Sequence, residues 1–371
     1  MDAEFTEDQL ELRDAARTVL SSACPPAVPR SIHEGTGDAA VLWDTLCELD
    51  WPALGIAVEH GGLGLGMLEV GVIVEELGRV VAPTPHLATA TQLVAVIESA
   101  GSDFRLAEIA RGSVTGTLAL AEDGRWSTAA LRTTARRHDG GWTLDGTKSH
   151  VFDGVTADEV AVVALADEGL GVFVVPGDAV VATPVPVIDP TMPLASLDLD
   201  DVHVDGDRVL VEPGDPSAAD VVDRALQVAT TALSLSTVAT CRAIFETTLR
   251  YAKDREQFGR PIGSFQAVKH RLADCYLAVE RATALAYFAA LTIAEDDGRR
   301  ALAAAMAKAA AGECAQLLVR DGLQLHGGVG FTWEHDLHLH LKRATTGELL
   351  FGTSAFHRAR VASMLGLEEV A

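Results

Sequence analysis

The stretch YAKDREQFGRPIGSFQAVKH, residues 251–270, reads as a helix that stops, a turn, and a helix that starts again. Pro261 has no amide hydrogen and cannot continue the first helix, and Ser264 is a natural cap for the second. Read alone, this is an αα-hairpin turn. Arg255, Gln257 and Phe258 add something more, because they gather a guanidinium, an amide and an aromatic ring at one exposed helix end. That set suits a pyrophosphate and an adenine ring.

On both sides of this turn the chain keeps a helical period. ALQVATTALSLSTVATCRAIFETTLRYAK precedes it, FQAVKHRLADCYLAVERATALAYFAALTIAE follows from Phe265, and ALAAAMAKAAAGECAQLLVRDGLQLH comes next. Helices this long and rich in alanine pack closely, so residues 216–371 are expected to form a four-helix bundle domain. Upstream, residues 112–215 change texture to short runs such as TGTLALAE, GWTLDGTKSHVF, EVAVVALA, GVFVVP and ASLDLDDVHV, punctuated by Gly, Asp and Pro. These are strand signals, and they predict a middle domain built as an antiparallel β-barrel or sandwich. Residues 1–111 return to apolar spacings of three and four and read as an N-terminal helical domain. HGGLGLG, residues 60–66, interrupts it; with no Lys-Ser/Thr pair after it, a structural turn is preferred to a phosphate cradle. The fold expected is therefore α+β and multidomain: helical, β, helical bundle.

Composition narrows the partners. The formal charge is −24, with 53 acidic against 29 basic residues, which argues against nucleic acid or an anionic membrane as a partner. An anionic small ligand stays open if a few Arg, Lys or helix N-termini focus on it. Five cysteines, Cys24, Cys47, Cys241, Cys275 and Cys314, contain no CxxC pair and read as buried free thiols. No charge-free run of eighteen apolar residues occurs, so no membrane span is expected, and the acidic N-terminal residues lack the pattern of a secretory signal; a cytoplasmic location is expected.

A second motif, DGLQLHGGVGF at residues 321–331, closes the third long helix with glycines that let a ligand approach the backbone. Together with the Arg255–Gln266 string, the trailing GTSAFHR at residues 352–358 and EHGGLGLG at residues 59–66, it resembles the acyl-CoA dehydrogenase family over nearly the whole chain. The resemblance implies FAD as cofactor, an acyl-CoA thioester as substrate, an electron-transfer flavoprotein as redox partner, and a homo-oligomer (dimer or tetramer). By family pattern, Arg255, Gln257 and Phe258 meet the FAD of a neighbouring subunit, with Gln324, Gly327 and Gly328 beside its pyrophosphate and Thr353 in the C-terminal cofactor motif.

The departures bear on chemistry. Where the family has a Thr-Glu-Pro-Gly-like run, this chain has Ala119-Leu-Ala-Glu-Asp-Gly-Arg125, and the family's Trp-Ile-Thr/Ser-Asn segment is His150-Val-Phe-Asp153. His150 and Phe152 would then face the isoalloxazine. No arginine stands near Ala229, and Arg224 is the nearest basic residue. Oxidising an acyl thioester needs a base for the α-proton, ordinarily a carboxylate in an apolar pocket. The family's commonest position for it falls on Phe351, which cannot take a proton, and its second position falls near Ala229, which is no base either. Glu348, three residues before Phe351, and Asp223 are the candidate replacements; the backbone at Phe351 could still serve an oxyanion site. His335, His338 and His340 read as a polar interface helix rather than a metal site, and His357 and Arg358 could attract a CoA phosphate. The leading expectation is a FAD-dependent dehydrogenase forming an α,β double bond. The alternative is a catalytically silent subunit in a hetero-oligomer with a related chain that supplies the glutamate. A third is a flavoprotein of another reaction, such as an oxygenase.

Overall fold

The computed structural model of the protein describes residues 5–367. The helices run α1 Glu7–Ala23, α2 Ala27–His33, α3 Ala40–Glu48, α4 Met67–Arg79, α5 His86–Ala88, α6 Val94–Ser99, α7 Leu106–Ala110, α8 Ala218–Asp254, α9 Gln266–Ala294, α10 Arg300–His326, α11 Leu337–Leu349 and α12 Ser354–Met364. The strands are β1 Gly116–Ala119, β2 Thr134–His138, β3 Gly141–Phe152, β4 Glu159–Ala166, β5 Gly169–Pro176, β6 Val181–Val185, β7 Leu194–Asp205 and β8 Val209–Val211, with a small ribbon β9 Glu256–Gln257 and β10 Arg260–Pro261. Two compact units are present: one takes the chain up to Asp38, Met67–Pro83 and everything from Thr230 on, and the other takes Ala39–Gly66 and Thr84–Ala229. The N-terminal helices are thereby shared out, α1, α2 and α4 joining the long C-terminal helices and α3 and α5–α7 joining the sheet.

The first unit is helical. Along α8, several threonines and serines that look unsuited to a core are buried, and they return their hydroxyls to the helix itself: Ser234 to Thr230 O at 2.7 Å, Thr237 to Leu233 O at 2.7 Å, Thr248 to Ile244 O at 2.7 Å. These donors are matched within the helix, and the small side chains let neighbours approach. Gly78 on α4 and Gly347 on α11 use that closeness: a Cβ at either would lie 2.5 Å from Ser236 O or 2.1 Å from Thr237 Oγ1. A core of Ile244, Leu272, Val279, Ala311, Leu318 and Leu341 then joins α8, α9, α10 and α11.

The second unit is built on one eight-stranded sheet in the order β6-β7-β3-β2-β4-β5-β8, with β1 added beside β4. Most pairings are antiparallel as expected, but β1 with β4 and β2 with β4 are parallel, so the sheet is mixed. β4 is the central strand and is buried on both faces: Val160, Val162 and Ala164 enter one core with Trp142, Phe173 and Leu197, while Ala161 and Val163 enter another with Leu93, Ile97, Ile109 and Val222. Its unbroken apolar run, EVAVVALA, is the sequence trace of that double burial. HGGLGLG forms the structural turn expected, folding back so that Leu63 and Leu65 amides bond Ala53 O and Leu54 O at 2.9 Å.

Three helices are long and apolar enough to cross a membrane by length and composition alone, within Ala218–Asp254, Gln266–Ala294 and Arg300–Phe331; their most apolar windows are 89%, 39% and 67% buried in the protein. The low figure for α9 marks an apolar helix that the described residues leave partly uncovered, with Tyr276 and Leu277 exposed on it.

Candidate functional site

The turn after α8 is a two-residue hairpin. Arg255 N still bonds Tyr251 O at 2.8 Å, then Gln257 pairs with Arg260 across Phe258 and Gly259, both at positive φ (54° and 76°). Two left-handed residues in succession give the tight turn that suits a ribbon's twist. Glycine takes that shape freely, whereas Phe258 adopts it while 91% exposed. Ser264 does not cap α9, contrary to the sequence expectation. It ends a short 3₁₀ turn, its hydroxyl has no partner, and the residue preceding the helix is Phe265, whose ring lies under the Arg260 guanidinium at 4.2 Å.

Beside this turn, α10 ends at His326 and the chain passes through Gly327 at φ 60°, ψ −140°. Arg255, Gln257, Gln324, Gly327 and Gly328 line one cleft of about 520 Å³. These are five of the six cofactor residues expected around the dinucleotide; Phe258 stands outside the lining, and Thr353 lies apart as the cap of α12, its Oγ1 accepting from Phe356 N at 3.3 Å. A Cβ built on Gly327 or Gly328 meets nothing within 4 Å. Bare backbone facing open space, with a guanidinium and two amides around it, fits the phosphates and polar edges of a dinucleotide. His326 closes the inner wall: it stacks on Tyr251 with centroids 4.5 Å apart, its Nδ1 bonds Gly322 O at 2.8 Å, and burial lowers its pKa, which keeps the ring neutral.

The loop after α11 is filled by the protein itself. Phe351 (φ 56°) and Gly352 (φ 97°) turn the chain into α12, and the Phe351 side chain is buried. Glu348 is buried as well, but its carboxylate is turned to the start of α12 and to α10. It accepts from Ser354 N at 3.2 Å, Ser354 Oγ at 3.0 Å and Gln316 Nε2 at 2.7 Å. A carboxylate at a helix N-terminus meets the unpaired amides and the positive end of the dipole. Gly312 makes room for it, since a Cβ there would lie 1.8 Å from Glu348 Oε2. Lys308, fully buried, donates to Glu348 O at 2.9 Å and Gly352 O at 2.7 Å; burial brings its pKa down to about 8 in spite of nearby Glu348. His357 Nε2 lies 2.8 Å from Phe351 O, and burial lowers its pKa to about 4, so the neutral ring donates from Nε2. This corrects the expectation that His357 attracts a phosphate: it is 2% exposed and engaged inward. Arg358 bonds Glu313 at 3.1 Å. Asp223, the other carboxylate considered, is exposed on the part of α8 that belongs to the second unit.

In the second unit, Glu122 and Arg125 bridge a tight turn through Asp123 and Gly124, both at positive φ. Glu122 accepts from Lys148 Nζ at 2.6 Å and from Thr133 N and Oγ1 at 3.1 and 2.7 Å. Burial opposes its charge, yet the bonds from Lys148 and Thr133 hold the carboxyl below its ordinary range; burial also lowers Lys148 to about 8. His150, at φ 53°, sits 5.8 Å from Trp126, and Phe152 is buried. No side-chain hydroxyl stands at Ala121 or Phe152, where the family pattern offers one to the flavin.

The histidine run does not converge. His338 stacks on Trp333 at 4.4 Å, His340 bonds Arg79 O at 3.2 Å, and His335 packs on His326. Among the described residues no group of three or more His, Cys, Asp or Glu side chains is placed to hold a metal ion. Sequence reasoning missed Lys308, Gln316, Ser354 and the Glu122–Lys148 pair. The one available signal was a lone lysine inside an alanine run, AAAMAKAAAG, which a buried helix tolerates only when the ammonium finds acceptors.

Residues 6–116 match the description "Acyl-CoA dehydrogenase, N-terminal domain" and residues 219–366 match "Acyl-CoA dehydrogenase, C-terminal domain". The chain is 33% identical over 340 residues to the acyl-CoA dehydrogenase IpdE2 of Mycobacterium tuberculosis (strain ATCC 25618 / H37Rv), covering 91% of each. Among solved structures it is similar to a chain of the ChsE4-ChsE5 complex from Mycobacterium tuberculosis (26% identity, TM-score 0.89, 100% of both chains). It is also similar to a chain of a variant of the Tcur3481-Tcur3483 steroid ACAD, with 30% identity, a TM-score of 0.87, and 97% and 98% coverage.

Proposed function

The chain belongs to the acyl-CoA dehydrogenase family, flavoprotein oxidoreductases whose cofactor is FAD, and on that premise we propose that it is the non-basic subunit of a heteromeric acyl-CoA dehydrogenase. In this reading Arg255, Gln257, Phe258, Gln324, Gly327 and Gly328 hold the dinucleotide end of an FAD, and a related chain contributes the carboxylate. The chemistry a bound FAD would supply is that of hydride acceptor for the β carbon of the acyl thioester. The α-proton needs a base, and one observation carries the proposal: beside Phe351, where the family resemblance puts the base, the nearest carboxylate in sequence, Glu348, is bonded to Ser354 and Gln316. These donors hold the carboxylate toward α12 and α10 and occupy its oxygens, so it is not placed to meet a substrate.

What this chain keeps is positioning. Lys308 and His357 take the carbonyls of Glu348, Gly352 and Phe351, which fixes the backbone whose Phe351 amide would donate to the thioester oxygen. The uncovered apolar face of α9 supports association with another chain. Support also comes from the structural neighbours, two of which pair two gene products by name, one of them called a steroid ACAD. A bulky, steroid-derived acyl-CoA is therefore the first thioester to try, an electron-transfer flavoprotein the electron acceptor, and the cytoplasm the location.

The test is anaerobic mixing with a panel of acyl-CoAs while flavin absorbance is followed, for the chain alone and co-expressed with a related carboxylate-bearing chain. The expected result is bleaching only for the pair. A chain that alone retains full flavin and is bleached by any thioester would overturn the proposal, and loss of that bleaching in Glu348→Gln would then make Glu348 the base.

A further inference from the structure

A second cavity, of about 700 Å³, opens among α1, α4, α8 and α9 within the first unit, and it shares no lining residue with the cleft at Arg255 or the loop at Phe351. Gln9, Arg13 and Arg17 reach it from every fourth position of α1, which is one helix face. Four guanidiniums line it in a chain of net charge −24: Arg13, Arg17, Arg79 and Arg242.

Three of them have carboxylate partners brought by the fold. Arg17 forks onto Glu76 at 2.6 and 3.1 Å, Arg79 bonds Glu246, and Arg242 bonds Glu280 at 2.9 Å. Among the described residues Arg13 has only Asp14, its own neighbour on the exposed helix surface, at 3.3 Å, a contact that solvent weakens. Another carboxyl of the wall, Glu75, takes a hydrogen bond from the Tyr287 hydroxyl, and burial raises its pKa. The lining thus sets four guanidiniums against three carboxyls, Glu75, Glu246 and Glu280, and Arg13 is the guanidinium whose partner is only its exposed helix neighbour. The rest of the wall is apolar, from Leu68, Ala284, Phe288 and Leu291. A cavity of this size with an apolar body and one polar anchor has the form of a small-molecule site.

We propose that this cavity binds an amphipathic monoanion, an apolar body carrying a single carboxylate, with Arg13 receiving the head and the α4–α9 wall the tail. The site stands apart from the proposed subunit role and does not rest on it. Titration calorimetry on the protein as purified, with decanoate, 1-decanol and decyltrimethylammonium, tests it. Decanoate is expected to saturate one site per chain, and the alcohol and the ammonium to bind at least about tenfold more weakly, a difference near 1.4 kcal/mol. Arg13→Gln, on an accessible helix face, is expected to remove that preference; Ala284→Phe, which fills the cavity, is expected to abolish binding; Arg136→Gln, at an exposed arginine of β2 outside both sites, is expected to leave decanoate binding unchanged. Absence of saturable decanoate binding, equal binding of the alcohol, or decanoate binding unmoved by both Arg13→Gln and Ala284→Phe overturns the proposal, as does sensitivity to Arg136→Gln alone. If Ala284→Phe does not fold, the Arg13→Gln and alcohol comparisons decide.

Discussion

The turn at Arg255–Pro261 with the Gly327–Gly328 backbone and the loop at Glu348–Ser354 are both built from left-handed residues and glycine, yet they are opposites. At the first, side chains point outward and the glycine backbone meets nothing, so the polar groups wait for something outside the chain. At the second, the carbonyls of Glu348, Phe351 and Gly352 are taken by Lys308 and His357, and the Glu348 carboxylate by Ser354 and Gln316. Open polar groups mark a place kept for a ligand; satisfied ones mark a place kept for rigidity. Substitutions should therefore damage stability at the second region and ligand retention at the first.

The largest effect is expected from Lys308→Met. It leaves Glu348 O and Gly352 O buried without donors, a cost of about 2–4 kcal/mol, partly offset because a buried ammonium is no longer desolvated. Urea denaturation measures it. A loss below about 0.5 kcal/mol would mean that the loop relaxes to water and that the two regions differ less than their hydrogen bonds suggest.

Next comes pH. The His357 pKa is about 4 when folded against an ordinary value of 6.5, so between those pH values the unfolded chain binds a proton that the folded chain does not. Stability therefore falls as pH drops through that window. At pH 5 this one group would account for on the order of 2 kcal/mol relative to pH 8, and His86, with its pKa also lowered to about 4 by burial, adds a loss of the same sign. Comparing unfolding midpoints at pH 7 and pH 5 for wild type and His357→Gln checks it: the variant, whose amide can still donate to Phe351 O, should show a shallower acid slope. Identical slopes would remove His357 from the account.

Gly312→Ala is expected to cost somewhat less, about 1–3 kcal/mol, by pushing the Glu348 carboxylate away from Ser354 and Gln316. The diagnostic reading is a double variant. Gly312→Ala combined with Glu348→Ala should cost less than the two separately, because the clash disappears with the carboxylate. Strict additivity would place the strain elsewhere.

These same two regions show how far the sequence could be read. The helical, β, helical order followed from period and punctuation, and β3, β4 and β5 lie where GWTLDGTKSHVF, EVAVVALA and GVFVVP predicted. Strands β2, β6 and β8 went unread because TARRH is mostly polar, VATPV is exposed and carries a proline, and VLV is three residues long. The parallel neighbours of β4 went unread because pairing is a long-range matter that no local pattern encodes. At the candidate site, Arg255, Gln257, Gln324, Gly327 and Gly328 were legible since they lie in two short strings. Lys308 with Glu348, and Lys148 with Glu122, were not: their partners are 40 and 26 residues distant, and a buried charge has no signature until its counter-group is placed.

The smallest effect on stability, and the sharpest test of the contrast, is expected from Arg255→Ala. The side chain is exposed at a turn whose backbone bonds, Arg255 N to Tyr251 O and Ile262 N to Arg255 O at 2.8 Å each, do not involve the guanidinium. Unfolding should move by no more than about 0.5 kcal/mol. Flavin retention should move far more, because a charge-assisted fork onto phosphate is worth roughly 1.5–3 kcal/mol, or about ten- to a hundredfold in affinity. Absorbance of FAD per chain after gel filtration, measured beside the urea midpoint, separates the two quantities. A variant that loses stability but keeps its flavin would invert the assignment, making the Arg255 turn structural and leaving the dinucleotide to be gripped from elsewhere.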